Sequence, residues 1–105
     1  MAGGKGAMTA TDEELVEQVA AAVLAHPSVL RLDGGEYGVV ATHLPGRRVT
    51  GVRSRDDGTP AEVAVVLRLD RPLPEIIAEL RAEITRVAGR GPVDITVSDV
   101  EQAGA

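Results

Sequence analysis

The strongest constraint on the fold is a change in apolar spacing in the second half of the chain. The run Ala61–Leu69 alternates between two sets of side chains, as β-strands do. Val63, Val65 and Leu67 share one face of that predicted strand. After Pro72 the spacing of large apolar residues becomes three and four: Leu73, Ile76, Ile77, Leu80, Ile84 and Val87. This spacing predicts an amphipathic helix, so the chain combines strands with helices.

The remaining elements follow from the same two periods and from their end signals. Thr11 and Glu14 fit a capping box that begins a first helix, and Pro27 ends that helix. Gly89 ends the second helix. Three further strands are predicted, at residues 28–34, 48–54 and 93–100.

These elements predict an α+β fold in the order α-β-β-β-α-β. Each helix has one apolar stripe, so we expect a two-layer sandwich with both helices on one face of a small sheet of three or four strands. The 105 residues fit a single domain at 11–100, with a disordered tail at 1–10 and a frayed tail at 101–105. The other sheet face is predicted to be mostly polar around Ala64 and Val66, and is either solvated or a docking surface.

Composition excludes several classes of function. Tyr37 is the only aromatic residue, so aliphatic side chains must form the core. The absence of cysteine excludes disulfides, cysteine zinc sites and iron–sulfur clusters. A net charge of −5 disfavours general binding to nucleic acids. No apolar run approaches the ~20 residues that span a bilayer. We therefore expect a cytoplasmic protein that meets a membrane only through a partner.

Candidate binding residues concentrate in the stretch 34-GGEYGVVATHLPGRR-48. It is predicted to be a mobile connection between strands rather than a ligand cradle, because its glycines and Pro45-Gly46 favour turns. Four of the eleven basic residues fall between positions 47 and 55. They form either a patch for an anionic partner or solubilising charge on an edge strand. The candidate partner-binding residues are Tyr37, Arg47, Arg48, Arg53, Val66 and Arg68.

The sequence offers few residues for catalysis or metal binding. His26 and His43 have no third ligand at a metal-binding spacing. No nucleophile motif or phosphate-binding loop is present. The glutamates of the second helix lie on one outer face and indicate a solvated surface. No catalytic residue, metal or cofactor is expected, although a small-ligand site at Tyr37, His43 and Arg47 stays an open hypothesis.

A family resemblance adds to these inferences. The segments 73-LPEIIAELRAEITRVAG-89 and 93-VDITVSDV-100 resemble the alkaline shock protein family of bacteria. In that family a valine-rich strand precedes an Ile-Pro-Glu-Val segment, a helix, Thr-Gly and a valine-rich final strand. The segments 27-PSVLRLDGG-35 and 51-GV-52 match its first half. Leu69-Asp70 departs from the family's Tyr-Gly, and the final strand lacks its Asn, so the chain resembles a divergent high-GC member.

The resemblance implies a non-enzymatic cytoplasmic protein linked to alkaline or cell-envelope stress. Some members are held at the membrane by a small membrane-anchored protein, so docking to such a partner or to itself is expected. The alternative is a KH-like RNA-binding domain, suggested by the G-x-x-G at Gly35–Gly38 and the arginines. In KH domains that loop joins two helices, whereas here it follows a strand and contains Glu36, which repels phosphate.

Overall fold

The structure, a computed structural model, describes residues 10–102. The predicted tail at residues 1–10 therefore lies outside the described residues except for Ala10, which begins the first helix. The last strand continues through Gln102, two residues beyond the predicted end. The elements are α1 (Ala10–Leu24), β1 (Val29–Leu32), β2 (Ala41–Leu44), β3 (Arg47–Thr50), β4 (Val52–Ser54), β5 (Pro60–Leu69), α2 (Leu73–Ala88) and β6 (Asp94–Gln102).

The main sheet is organised around β5, its longest strand. Antiparallel β1 pairs with residues 65–67 of β5, and antiparallel β4 pairs with residues 60–63. Parallel β6 pairs along residues 62–69. Since a strand has two edges and β6 overlaps both shorter partners, β1 and β4 share one edge and β6 occupies the other. The connection from β5 through α2 to β6 is a βαβ unit, which places α2 against the sheet.

Both helices and one face of this sheet enclose a single aliphatic core. The helices contribute Val16, Val19, Val23, Ile76, Leu80 and Ile84, and the strands contribute Val29, Val52, Val63, Val65 and Leu67. The apolar alternation of β5 and the apolar stripe of α2 thus form the core that their periods predict. The α+β class and the predicted order of elements are confirmed, with the second predicted strand divided into β3 and β4.

The helix ends show how local signals act. Pro74 lies in the first turn of α2, where a missing N–H breaks no helical hydrogen bond. Gly89 ends α2 with a φ of 82°, and its N–H donates to the carbonyl of Thr85 at 2.8 Å. Helix α1 begins before Thr11, so the predicted capping residue lies inside the helix. Leu24, in the last turn of α1, is 48% exposed.

Gly51 divides the predicted strand 48–54 into two parts. Its φ is +90°, and a Cβ built there would lie 2.5 Å from the Cβ of Leu32, so only glycine fits. Its N–H donates to the carbonyl of Val40 at 2.7 Å, and its own carbonyl accepts from Ala64 at 2.9 Å. The chain therefore turns at Gly51, with β4 joining the main sheet and β3 pairing outside it.

The expectation that residues 34–48 form a mobile connection is wrong in its second half. Strands β2 and β3 form an antiparallel hairpin with His43 opposite Arg48. Val40, Thr42 and Leu44 are buried, and they alternate with more exposed neighbours. The apolar pattern of the sequence does not show this alternation, because a polar residue, Thr42, occupies the central buried position. Its hydroxyl donates to the carbonyl of Val52 at 2.5 Å, so the hairpin is attached to β4.

Candidate functional site

The loop before the hairpin is held by its own backbone. The carboxylate of Asp33, its first residue, accepts a hydrogen bond from the backbone N–H of Gly35 at 2.9 Å. The N–H of Gly38 donates to the carbonyl of Gly35 at 3.1 Å, and the N–H of Val40 donates to Gly34 at 2.9 Å. The G-x-x-G is therefore a closed turn between two strands, unlike the helix-joining loop of KH domains.

This turn presents the most exposed large apolar side chains of the described residues. Tyr37 is 81% exposed and Val39 is 67% exposed. Val40 is buried, and adjacent side chains of an extended segment point in opposite directions, so Val39 points outward. A tyrosine on a closed turn is a typical interface residue, since it offers a large contact area with few rotatable bonds.

Two arginines flank the turn. Arg48 donates to the carbonyl of Gly38, which ties β3 to the turn that carries Tyr37. Arg47 forms an ion pair with Glu17 of α1, so it joins the hairpin to the first helix. We define the hairpin surface as Tyr37, Val39, His43 and Arg48, all of them exposed. Arg47 lies opposite the buried Leu44 and therefore on the other face of the hairpin. The hairpin surface joins the apolar side chains of the turn to basic side chains.

The structure disperses the other arginines of the predicted cluster. Arg53 lies on β4 and pairs with Glu62 of β5 at 3.3 Å. Arg55 donates to two backbone carbonyls, those of Pro60 at 2.7 Å and Pro92 at 2.6 Å. These arginines fasten loops and strands within the domain. Of the four arginines between positions 47 and 55, Arg48 is therefore the one that contributes to the hairpin surface.

Val66 and Arg68 lie on the sheet face away from the helices. Val66 is 2% exposed, so the expectation of an open apolar centre on this face is wrong. Charged side chains that meet across the central strand β5 cover this part of the sheet face. Arg31 of β1 reaches Glu101 of β6 at 3.1 Å, and both residues lie in register with this part of β5. Arg68 itself is exposed beside this pair.

The polar face is closed in the same way at its other end. The carboxylate of Glu62 accepts from Arg53 on one edge strand and from the hydroxyl of Thr96 on the other, the latter at 2.7 Å. Ala64, between the two bridges, has no exposed surface. The sheet face is thus a set of cross-strand polar bridges over two small apolar residues. It offers a partner charge rather than apolar area.

A partly buried polar network joins the segment between α1 and β1 to α2. His26 is 8% exposed, and its Nδ1 accepts the N–H of Ser28 at 3.0 Å. In the neutral ring the proton therefore sits on Nε2, which donates to Glu79 at 2.8 Å. Arg71 also donates twice to this carboxylate, at 2.5 and 3.0 Å. Hydrogen bonds from Arg71 and then His26 lower the pKa of Glu79 to about 2.

The same network does not form a nucleophile and base pair. The hydroxyl of Ser28 donates to Asp70 at 2.7 Å, while His26 receives only the backbone N–H of Ser28. Every group is thus engaged in joining elements. The solvated face predicted for Glu79 gives no sign of this network, because His26 and Glu79 are 53 positions apart and no local pattern links them.

Comparison with known proteins does not identify a family, so the function has to be inferred from the residues of this chain. No family model, curated protein or solved structure matches the chain. Within residues 10–102, no group of three or more His, Asp or Glu side chains is arranged to hold a metal ion. None of the helices in that part of the chain is long and apolar enough to cross a membrane.

Proposed function

We propose that this chain is a non-catalytic interaction module of the alkaline shock, or envelope-stress, type. It docks through the hairpin surface onto a membrane-anchored partner protein or onto a second copy of itself. The observation that carries the proposal is the exposure of Tyr37 and Val39 on a closed, hydrogen-bonded turn beside Arg48. The resemblance of residues 27–35, 51–52, 73–89 and 93–100 to that family supports the stress-related role.

The preformed turn favours binding over a passive connection. Because its backbone is already closed, docking orders few additional residues, which reduces the entropy lost on association. Apolar area at the turn supplies affinity, and the neighbouring Arg48 supplies orientation towards an acidic partner. His43 lies opposite Arg48 in the hairpin and is exposed, so it belongs to the rim of the same surface.

The RNA-binding alternative has no specific observation in its favour. The G-x-x-G lies between β1 and β2, and Glu36 is exposed in the turn. The arginines that would form a phosphate-binding patch are divided between separate contacts. The small-ligand hypothesis at Tyr37, His43 and Arg47 gains no support from three depressions on the surface of the described residues, because these side chains line none of the three.

Fractionation of the native protein tests the proposal. We expect the protein to sediment with membranes after a low-salt wash, and to be released in part by high salt, because screening weakens contacts made by Arg48. Val39→Ser removes exposed apolar area from the hairpin surface and is expected to release the protein. Leu24→Ser removes similar area from α1, where 48% of the residue is exposed, and serves as the matched control.

The outcomes separate the candidate functions. Retention on membranes that Val39→Ser abolishes and Leu24→Ser leaves unchanged supports docking through the hairpin. Self-association with the same sensitivity, measured by sedimentation velocity, supports a second copy as the partner. A defined turnover by the purified protein would contradict a non-catalytic module. Equal behaviour of both variants would show that the hairpin surface is not the site.

A further inference from the structure

A second surface lies on the side of α2 that faces away from α1. It contains an open, shallow groove of about 860 Å³. We call it the α2 flank, and its residues are Leu73, Pro74, Ile77, Ala78, Arg81, Ala82, Thr85, Arg86 and Arg90. Leu73 and Ile77, predicted in the apolar stripe of this helix, pack against the core and remain partly exposed.

The three sides of α2 have different surroundings. Ile76, Leu80 and Ile84 face the core and are buried. Glu79 reaches His26 at the end of α1, and Glu83 lines a separate cleft with residues of α1. The α2 flank is the remaining side, at helical positions rotated away from both. No element of the described chain covers it.

The floor of the flank suits a helix. Its apolar members recur at intervals of four and share one side of α2, and they are Leu73, Pro74, Ile77, Ala78 and Ala82. Ala78 and Ala82 are both exposed, and their short side chains allow the backbone of another helix to approach closely. The whole flank from Leu73 to Arg86 is about 20 Å long at 1.5 Å per residue, which matches a partner helix of about four turns. An open groove of this kind is a usual receptor for an amphipathic helix.

The charge of the flank is opposite to that of the whole chain. Arg81, Arg86 and Arg90 line the groove, and no acidic residue does. Arg81 is held by the carbonyl of Val93 at 2.7 Å, and Arg86 by Glu83 at 2.8 Å. Arg90 is exposed and has no ion pair among the described residues. Because Glu83 offsets the charge of Arg86, Arg81 and Arg90 are the cations that make this flank a local positive surface on a chain with a net charge of −5.

We propose that the α2 flank binds an acidic amphipathic helix of a partner protein. The apolar floor takes the leucine-type side chains of that helix, and the arginines take the carboxylates along its sides. A symmetric pair of copies joined through this flank would bring arginines near arginines, which disfavours a second copy. The apolar floor adds nothing to phosphate binding, which disfavours nucleic acid. The proposal goes beyond the hairpin surface and does not depend on it.

Binding of a synthetic probe tests the proposal. The probe is a fluorescein-labelled peptide of about 18 residues, with leucines on one helical face and glutamates beside them. We expect the full chain to bind it and to bind it less tightly as salt rises. A peptide with lysines in place of glutamates, and a scrambled peptide of the same composition, are expected to bind at least about tenfold more weakly.

Matched variants locate the contact. Ala82→Glu places bulk and a negative charge in the middle of the flank, and is expected to weaken probe binding by at least about tenfold. Ala21→Glu makes the same change at an exposed position of α1 and is expected to leave binding within about twofold. Arg90→Glu is expected to weaken binding mainly at low salt. Circular dichroism of each variant verifies that the fold is retained.

Each other outcome overturns the proposal in a defined way. Equal binding by Ala82→Glu and the unmodified chain means that the flank is not the site. Equal binding of the lysine peptide means that charge does not select the partner. Binding to anionic vesicles but not to the peptide, with the same Ala82→Glu sensitivity, identifies a lipid surface instead. If the membrane retention tested above persists while the probe fails to bind, the interaction module stands and this inference falls.

Discussion

The replacement Gly51→Ala tests the bend that separates the hairpin surface from the main sheet. A Cβ at this position would lie 2.5 Å from the Cβ of Leu32 and 3.1 Å from the carbonyl oxygen of Ala64. These neighbours belong to β1 and β5, so they cannot move without disturbing the sheet. The φ of +90° is itself unfavourable for alanine. The variant therefore combines backbone strain with overpacking.

The size of the effect follows from these two contributions. A left-handed conformation costs a non-glycine residue about 1–2 kcal/mol, and overpacking a filled site costs about 1–3 kcal/mol. Alanine also reduces the entropy of the unfolded chain, which stabilises by about 0.4–1 kcal/mol. The expected net loss in the free energy of unfolding is about 1–5 kcal/mol. For a domain of this size that lowers Tm by roughly 5–35 °C.

Gly46→Ala is the matched control. Gly46 also has a positive φ, +77°, but nothing lies within 4 Å of a Cβ built there. It therefore carries only the strain, and its expected net cost is about 0–1.5 kcal/mol. Urea unfolding followed by far-ultraviolet circular dichroism measures both variants. Tyrosine fluorescence is unsuitable, because the single Tyr37 is 81% exposed on a turn.

Equal stability of the Gly51→Ala and Gly46→Ala variants would refute the predicted clash at Gly51. Equal losses would mean that the close approach of β1 and β5 at Gly51 does not exist in solution. A second readout concerns function, since the bend sets the position of the hairpin. Gly51→Ala is expected to weaken membrane retention through Tyr37 even where the protein remains folded, whereas Gly46→Ala, at the far end of the hairpin turn, tests local strain alone.

Three further predictions concern stability. Because the pKa of Glu79 is lowered from 4.5 to about 2, its ion pair stabilises the fold above pH 4.5, and this stability is lost as the pH falls towards about 2. Glu79→Gln is therefore expected to make the urea midpoint depend less on pH over that range than in the unmodified chain. Leu80→Ala, at a fully buried site, is expected to cost about 2–5 kcal/mol, and Leu69→Ala, at a residue 38% exposed, clearly less in the same urea assay. Arg53→Ala breaks a partly exposed ion pair and is expected to cost less than about 1 kcal/mol in thermal unfolding; a larger loss would show that this cross-strand bridge supports the sheet.

Much of the fold was predictable because its signals are local. The alternation of β5 and the three-to-four spacing of α2 depend only on neighbouring residues. Pro74 favours the beginning of α2 and Gly89 favours its end, each through its own backbone chemistry. The hairpin β2–β3 was missed although its signal was present. Thr42 is polar yet buried, and a pattern based on apolar residues does not register it.

The candidate site was less predictable, because exposure depends on what other segments cover. Tyr37 and Arg48 were expected at a partner surface and are exposed together on the hairpin surface. Val66 was expected there too, yet the ion pair of Arg31 with Glu101 closes over its strand. These two charged residues are 70 positions apart, so no sequence window contains both.

The sequence by itself therefore determined the kinds of elements, their order and the face that each turns to the core. The tertiary structure alone decided which distant side chains meet. It directed Arg53 and Arg55 into internal contacts and brought His26 to Glu79. It also left the α2 flank uncovered. The physical reason is that periodicity arises from backbone geometry within a few residues, whereas contacts between elements depend on how the whole chain packs.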